Sequence, residues 1–378
     1  MNILQMITEL RPGGAERVLA NLSRELARRG HAVRVCSLRP LPADSPIMDD
    51  LQAAGIPVFS LGLSYIQPWR AVAFGRLVNH MMRMNAAGAD RFVPDVVHAH
   101  LFHAGLVAGG LGAVERSWPL VYSVHICERR KSRFWQFWFE RHIFSRCAAV
   151  TAVSNAVREF YAGRIRVPGS AVDVIYNGIH PPPVPDVETV LRLRAEWGVA
   201  SCQRVLGCVG RLDWQKGFDL LLEALPAIAR NLPRGETWGL VILGEGPHRA
   251  RLEALVARAP AVFKIVLPGF RADAPSCIGA FDLFLMPSRY EGYGLTLAEA
   301  MSHGVPILAS TADSLPELLT GYPNGVTAGI ASGQFAEWAD AIPGLAARAT
   351  RQPRELFPVA AMADAYLGVY QRVQAGGK

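Results

Sequence analysis

The stretch Met286-Pro-Ser-Arg-Tyr-Glu291-Gly-Tyr-Gly294-Leu-Thr-Leu-Ala-Glu299-Ala-Met-Ser-His-Gly304-Val-Pro306 decides how this chain is read. The apolar run Phe281–Met286 in front of it reads as a short buried strand. Gly292 and Gly294 permit a tight loop and close backbone approach. From about Gly294 to His303 the residues suit a short helix, which Gly304 and Pro306 end. A strand that feeds a glycine loop and a helix N-terminus presents free N–H groups and the positive end of a dipole, a surface suited to a diphosphate. Glu291 sits in that loop, and Glu299 lies among Leu295, Leu297, Ala298, Ala300 and Met301. A carboxylate on a helix that buries most of its faces needs hydrogen-bond donors, and sugar hydroxyls are such donors. A solvated loop position or an exposed helix stripe explains either Glu alone. Two carboxylates flanking a phosphate-competent turn favour a ligand site.

The 378 residues around this stretch are too many for one ordinary core, and two domains of about 180 residues each are expected. With 51% hydrophobic and 19% charged residues the composition is globular and excludes a disordered chain. No apolar run reaches the ~18–20 residues that cross a bilayer. Met1-Asn-Ile-Leu-Gln-Met-Ile7 runs straight into a strand without a basic leader or cleavage site, so a cytoplasmic location is expected. Cys36, Cys127, Cys147, Cys202, Cys208 and Cys277 are dispersed without zinc spacing and read as buried reduced thiols. The net charge of +7 is uneven: residues 1–180 hold 21 Lys and Arg against 13 Asp and Glu, whereas residues 181–378 hold 18 against 19. An anionic partner is therefore expected at the first half.

In chain order, Asn2–Thr8 reads as a strand and leads through Gly13-Gly14 into a helix over about Ala15–Arg29, with Val18, Leu19, Leu22 and Leu26 at helical spacing. The glycine pair lacks G-x-G-x-x-G spacing, so a phosphate-approaching loop and a plain turn both fit. Strands follow at Ala32–Leu38, Val58–Leu61, Asp95–His100 and Leu120–His125, with a helix near Pro68–Asn85. His98 and His100 have no third ligand at a metal-binding spacing and read as strand-end histidines near a cleft. His125 falls at the carboxyl end of its strand, where open α/β sheets bind ligands. Residues 128–146 join six basic residues, Arg129, Arg130, Lys131 and Arg133 leading, to aromatics that include Trp135 and Trp138. That composition suits an interfacial membrane helix, with each cation contributing ~1 kcal/mol near an anionic leaflet. A core helix with solvated arginines gives the same pattern, and no nucleic-acid motif supports a role in RNA binding. A strand Ala149–Val153, a helix capped by Ser154-Asn155 and a strand Val172–Ile179 complete the first half. His180-Pro-Pro-Pro-Val-Pro185 then forms a stiff spacer.

The second half begins with a helix near Val187–Trp197 and a strand Val205–Val209. Arg211 and Lys216 lie on the short loop before the helix Phe218–Ala229, where a forked and a point cation can clamp a diphosphate; a solvated basic loop is the plainer alternative. A strand and glycine-rich turn at Leu240–Pro247, a helix His248–Ala257, a strand Val262–Phe270, a strand Val305–Ala309 and a last helix Pro358–Val373 follow.

Glu291 and Glu299, with seven residues between them, resemble the E-x7-E motif of retaining glycosyltransferases of the GT-B fold, family 4. Arg211 and Lys216 are similar to that family's R-x4-K donor-phosphate motif, Gly-Gly-Ala-Glu-Arg17 to its N-terminal loop, and Val174-Ile-Tyr-Asn-Gly-Ile179 to the element that ends its first domain. The resemblance implies an α/β fold of two Rossmann-like parallel-sheet domains facing across a cleft: 1–180 binding acceptor, 181–352 binding nucleotide sugar, and 353–378 as a helix crossing back. It implies that Glu291 positions the donor sugar, Glu299 holds the ribose, and Gly14, Gly292, Tyr293, Gly294, Leu295 and Thr296 line the donor site. His125 matches a histidine set beside the sugar's reactive carbon, and Gly269 and Phe270 fall against the nucleotide base. Related chains commonly carry Gly-Gly where Ala312-Asp313-Ser314 stands here.

The expected function is metal-independent, cofactor-free transfer of a hexose or N-acetylhexosamine from a nucleotide sugar, UDP by family frequency, to a hydroxyl of a lipid-linked glycan. The chain has no D-x-D motif, and cations with a helix dipole can neutralise the leaving diphosphate. The expected setting is cell-surface polysaccharide synthesis at the inner face of the membrane, as a peripheral protein with no nucleic-acid partner. A GT-B nucleotide-sugar epimerase and a non-catalytic nucleotide-sugar binder at the membrane remain alternatives. A glycosidase built on the two carboxylates would leave the phosphate-binding features without a purpose.

Overall fold

A computed structural model describes residues 1–64, 92–114, 118–129, 134–348 and 350–376; the helix expected near 68–85 lies outside them. The contacts divide the chain into two units, Met1–Ile179 with Phe357–Lys378, and His180–Leu356.

The first unit is a parallel sheet with helices between its strands. Its elements are β1 (Asn2–Ile7), α1 (Gly14–Arg28), β2 (Ala32–Ser37), α2 (Pro46–Ala53), β3 (Val58–Ser60), β4 (Val96–His100), α3 (Phe102–Val114), β5 (Leu120–Val124), α4 (Phe134–Phe144), β6 (Ala149–Ala152), α5 (Asn155–Ile165) and β7 (Asp173–Val174). The strands lie in the order β3-β2-β1-β4-β5-β6-β7, each pair parallel. Val18, Leu19, Leu22 and Leu26 are buried on α1, as their helical spacing requires. Ser154 caps α5 by accepting from the Val157 N–H at 3.2 Å.

The strand expected over Val172–Ile179 shrinks to two residues. The Ile175 N–H still bonds Ala152, but Gly178 then passes so near the C-terminal segment that an added Cβ would lie 2.5 Å from the Val359 Cα. The Ile179 N–H donates to the Phe357 carbonyl, so the C-terminal segment replaces a continued ladder. The C-terminal helix Val359–Ala375 packs on α1 and buries Tyr366 and Tyr370 completely.

The second unit contains α6 (Val187–Glu196), β8 (Arg204–Val209), α7 (Phe218–Asn231), β9 (Trp238–Leu243), α8 (Arg249–Val256), β10 (Phe263–Gly269), α9 (Ala274–Cys277), β11 (Leu283–Met286), α10 (Leu295–Ser302), β12 (Ile307–Ser310), α11 (Leu315–Leu319), β13 (Gly325–Ala328) and α12 (Ala336–Ala346). Its sheet runs β10-β9-β8-β11-β12-β13, again all parallel. Alternate strand residues feed two cores. Leu206, Leu240, Ile242 and Leu283 pack with α7 and α12, whereas Val205, Val241, Leu243 and Phe284 pack with α6 and α10. A sheet covered on both faces needs near-continuous apolar strands, which is why Leu283–Met286 and Trp238–Leu243 carry no charge. All six cysteines are free thiols, five of them buried, and burial pushes Cys36 up to about 12.

Candidate active site

In the second unit β8 and β11 are sheet neighbours, with β9 wound to one side and β12 to the other. Ligands of open α/β sheets bind at the carboxyl ends of the strands at such a reversal. The loop after β8 carries Arg211 and Lys216, and the loop after β11 carries Glu291.

The two loops are joined through their backbones. The Arg289 N–H donates to the Gln215 carbonyl at 2.7 Å, and the Gln215 side-chain amide donates to the Tyr290 carbonyl at 3.2 Å. Gly217 has φ +66°, and a Cβ there would lie 1.9 Å from the Pro287 carbonyl oxygen. The main chain of Pro287 and Ser288 leaves no room for a side chain, so Gly217→Ala is expected to lose at least about 2–3 kcal/mol, read by chemical denaturation. The Arg289 guanidinium forks onto buried Asp219 at 2.7 and 3.0 Å, donates to the Trp214 carbonyl and lies over the Trp214 ring. Burial alone would raise the Asp219 carboxyl, but Arg289 and Arg251 outweigh it and hold the group below its usual range.

Within this frame Lys216 Nζ lies 2.6 Å from Glu291 Oε1, which also accepts from Ser288 Oγ at 2.8 Å. The Glu291 backbone N–H donates to the Asp313 carboxylate at 2.9 Å. Glu291 is 5% exposed. Arg211 is exposed, and its side chain makes no ion pair or hydrogen bond with any described residue. One cation is therefore held against the carboxylate and the other is open. Gly292, Tyr293 and Gly294 are buried, and Gly294 (φ +86°) opens α10. Leu295 and Thr296 form the half-buried first turn of α10, with Glu299 buried further along it. Gly269 (φ +97°) ends β10, and the following Phe270 is 55% exposed, a ring free to stack.

In the first unit a cavity of about 290 Å³ lies at the carboxyl ends of β1, β4 and β5, with Thr8, Glu9, Arg39, His103, His125 and Glu128 in its lining. Leu101, at φ +71°, makes the bend from β4 into α3 at its edge, a strained conformation for a branched side chain. His125 follows directly on β5. His98 and His100 do not reach the cavity as strand-end groups. Both are fully buried in the sheet, because alternation turns them inward along with buried Gln5. Burial holds all three histidines below their ordinary value, His125 at about 4, so the rings are neutral. Gly14 is exposed at the start of α1. No group of three or more His, Cys, Asp or Glu among the described residues is placed to hold a metal ion.

Of the basic-aromatic stretch, Arg130, Lys131 and Arg133 lie outside the described residues, as does the Trp135 side chain. Trp138 is 63% exposed on α4, Arg129 lies over the Phe160 ring at 5.5 Å, and Ile143 and Glu140 are buried. Among the described residues no helix is long and apolar enough to cross a membrane.

Sequence reasoning missed Ser288, Asp219, Asp313 and Gln5, and it did not pair His100 with His125 and Gln5. Asp313 alone carried a signal, since it stands where related chains have glycine. It keeps the positive backbone angle (φ +43°) and uses its carboxylate to bind the Glu291 loop.

Two parallel sheets, each with the winding reversed beside its first strand and with polar loops at the reversal, define the GT-B class. The family models agree. "Glycosyltransferase Family 4" matches residues 12–181 and "Glycosyl transferases group 1" matches residues 203–348. The chain belongs to these group 1, family 4 glycosyltransferases. The lipopolysaccharide core biosynthesis mannosyltransferase LpsB of Rhizobium meliloti is 34% identical over 192 residues, which span 48% of this chain and 51% of that protein. An uncharacterized glycosyltransferase of Methanocaldococcus jannaschii is 27% identical over 329 residues, 83% of this chain and 80% of its own. Among solved structures, Anabaena HepE in complex with UDP and glucose superposes with a TM-score of 0.75 at 23% identity, covering 100% of this chain and 99% of the other.

Proposed function

We propose that this glycosyltransferase moves a hexose or N-acetylhexosamine from a nucleotide sugar, a UDP-sugar, to a hydroxyl of a lipid-linked glycan, with retention of anomeric configuration. The observation that carries the reading is the Lys216–Glu291 pair at the β8/β11 reversal with Arg211 open beside it. A nucleoside diphosphate would engage Arg211, draw Lys216 from the carboxylate, and rest on the N–H groups at the start of α10. Glu291, freed of part of its ion pair, would then accept from sugar hydroxyls, and buried Glu299 from the ribose. Side-chain cations and the α10 dipole would carry the charge that builds on the leaving diphosphate without a metal ion. Front-face attack would let that diphosphate take the acceptor's proton. HepE's complex with UDP and glucose and LpsB's place in lipopolysaccharide core synthesis support the donor and acceptor classes.

The first half's surplus of cations and the exposed Trp138 support attachment to the inner face of an anionic membrane, where a lipid-linked acceptor is presented. Nucleoside-diphosphate release from UDP-, GDP- and ADP-sugars, with and without membrane lipid extract, tests the function. Release from one donor that requires the extract is expected. Release without any acceptor points to hydrolysis, conversion of the donor to its epimer without net release points to an epimerase, and tight nucleotide binding without turnover points to a sensor.

A second result is expected from the same assay. Arg211→Ala removes an exposed cation whose side chain has no partner among the described residues, so stability should stay within about 0.5 kcal/mol. The donor KM should rise by about ten- to a hundredfold, the loss of one charge-assisted contact of about 1.5–3 kcal/mol.

A further inference from the structure

A continuous run of buried hydrogen bonds leads from the cavity into the core of the first unit. His125 Nε2 lies 2.9 Å from His100 Nδ1, and His100 Nε2 lies 2.8 Å from the Gln5 amide oxygen. The Gln5 amide nitrogen reaches the Tyr370 hydroxyl at 3.4 Å, which lies 2.7 Å from His98 Nδ1. His98 Nε2 is 2.7 Å from Ser123 Oγ, itself 2.6 Å from Thr151 Oγ1 and 3.0 Å from the Tyr366 hydroxyl. The run crosses β1, β4, β5 and β6 and the C-terminal helix.

The chemistry of Gln5 gives the run a direction. A carbonyl oxygen only accepts, so His100 must donate through Nε2. A neutral ring that donates through Nε2 has a lone pair at Nδ1, so His125 must donate to it through its own Nε2. On the far side the Gln5 amide nitrogen donates to Tyr370, whose hydroxyl donates to His98 Nδ1, leaving His98 Nε2 to donate to Ser123. Each member donates to the next, and His125 stands at the head. Its remaining nitrogen, Nδ1, makes no hydrogen bond with any described residue, and the ring lines the cavity.

We infer that Gln5 and His100 are positioning residues that hold His125 as the Nε2–H tautomer. The lone pair of Nδ1 is then available in the cavity, which selects a ligand group that donates a hydrogen bond, a hydroxyl, over a carbonyl or phosphate oxygen. The inference rests on the reading of His125 as a residue that touches the transferred or accepting sugar. Its molecular core, the tautomer, is measurable without any substrate. Buried polar runs of this kind are fixed only when every member is satisfied, so one changed member alters its neighbours.

The test is side-chain nitrogen NMR on the full-length protein labelled with 15N-histidine at pH 7, with His125 assigned by the signal lost in His125→Asn. The expected spectrum shows a neutral His125 with its proton on Nε2. A proton on Nδ1, or on both nitrogens, overturns the inference, and the wild-type spectrum alone suffices for that. Gln5→Met removes the acceptor and is expected to bring out the Nδ1–H form of His125, with kcat reduced about tenfold and donor KM within about twofold. Gln5→Glu keeps an acceptor and is expected to restore the Nε2–H form and most of the rate. Equal losses in both variants, or an unchanged His125 tautomer in Gln5→Met, contradict the positioning role. If the wild type shows the expected tautomer but turns over no nucleotide sugar, it is the proposed function that fails.

Discussion

Lys216→Met is expected to lower kcat by about a thousandfold and to destabilise the second unit by about 3–5 kcal/mol. The two effects have different origins. Catalysis would suffer because, under the proposed function, the leaving diphosphate loses a cation carried on the loop after β8. Stability suffers because Glu291, 5% exposed, loses its partner at 2.6 Å and is left with the Ser288 hydroxyl on that oxygen. Leaving one buried charge unpaired costs far more than the pair itself contributes. The double variant Lys216→Met/Glu291→Gln is therefore expected to recover most of the lost stability and none of the activity. Denaturant melts and nucleotide-sugar turnover on the three proteins check this. A double variant as unstable as Lys216→Met would show that the ion pair is not the source of the loss.

Acid is expected to weaken the first unit in a window set by its buried histidines. His98, His100 and His125 are held below their ordinary value of 6.5 by burial, reinforced at His98 and His100 by neighbouring histidines, with His125 at about 4. The folded state therefore stays unprotonated at these rings while the unfolded chain takes up protons as pH falls through 6.5. Stability is unaffected above that value and drops below it until the folded rings titrate. From pH 6.5 to 5.5 each ring costs about 1 kcal/mol, or about 3 kcal/mol for the three. His31 and His142, lowered mainly by partial burial, add in the same direction. Unfolding followed against pH should show uptake of close to three protons or more near pH 5.5, and His98→Asn should remove about one. Stability that is flat across the window would contradict the neutral, buried rings.

The parts of this protein that could be read from sequence are those governed by local rules. Strand and helix positions in both units follow from apolar periodicity, and Glu291, Arg211, Lys216 and His125 stand at strand ends because a parallel sheet leaves its polar loops there. What was not legible depends on pairing across sequence distance. Nothing near Lys216 announces that it meets Glu291, 75 residues later. Nor does Arg289 announce Asp219, since the register of β8 against β11 brings them together. His98 and His100 looked like strand-end groups, but alternation along a strand buried on both faces turned them into the core beside Gln5 and Tyr370. The strand over 172–179 was cut short by the C-terminal segment, a competitor more than 170 residues away in sequence. Asp313 shows the reverse case, in which a departure from the family pattern was visible and its use, holding the Glu291 loop, was not.

The most direct test of the donor site is nucleotide-sugar turnover by Arg211→Ala and Glu299→Ala, with the donor that wild-type protein uses and membrane lipid extract as acceptor. Neither side chain is needed for the Lys216–Glu291 pair, so both proteins can be compared folded, with circular dichroism as the control. Loss of kcat/KM by at least about tenfold in each is the predicted result. Turnover at the wild-type level in both would contradict a donor site at the β8/β11 reversal.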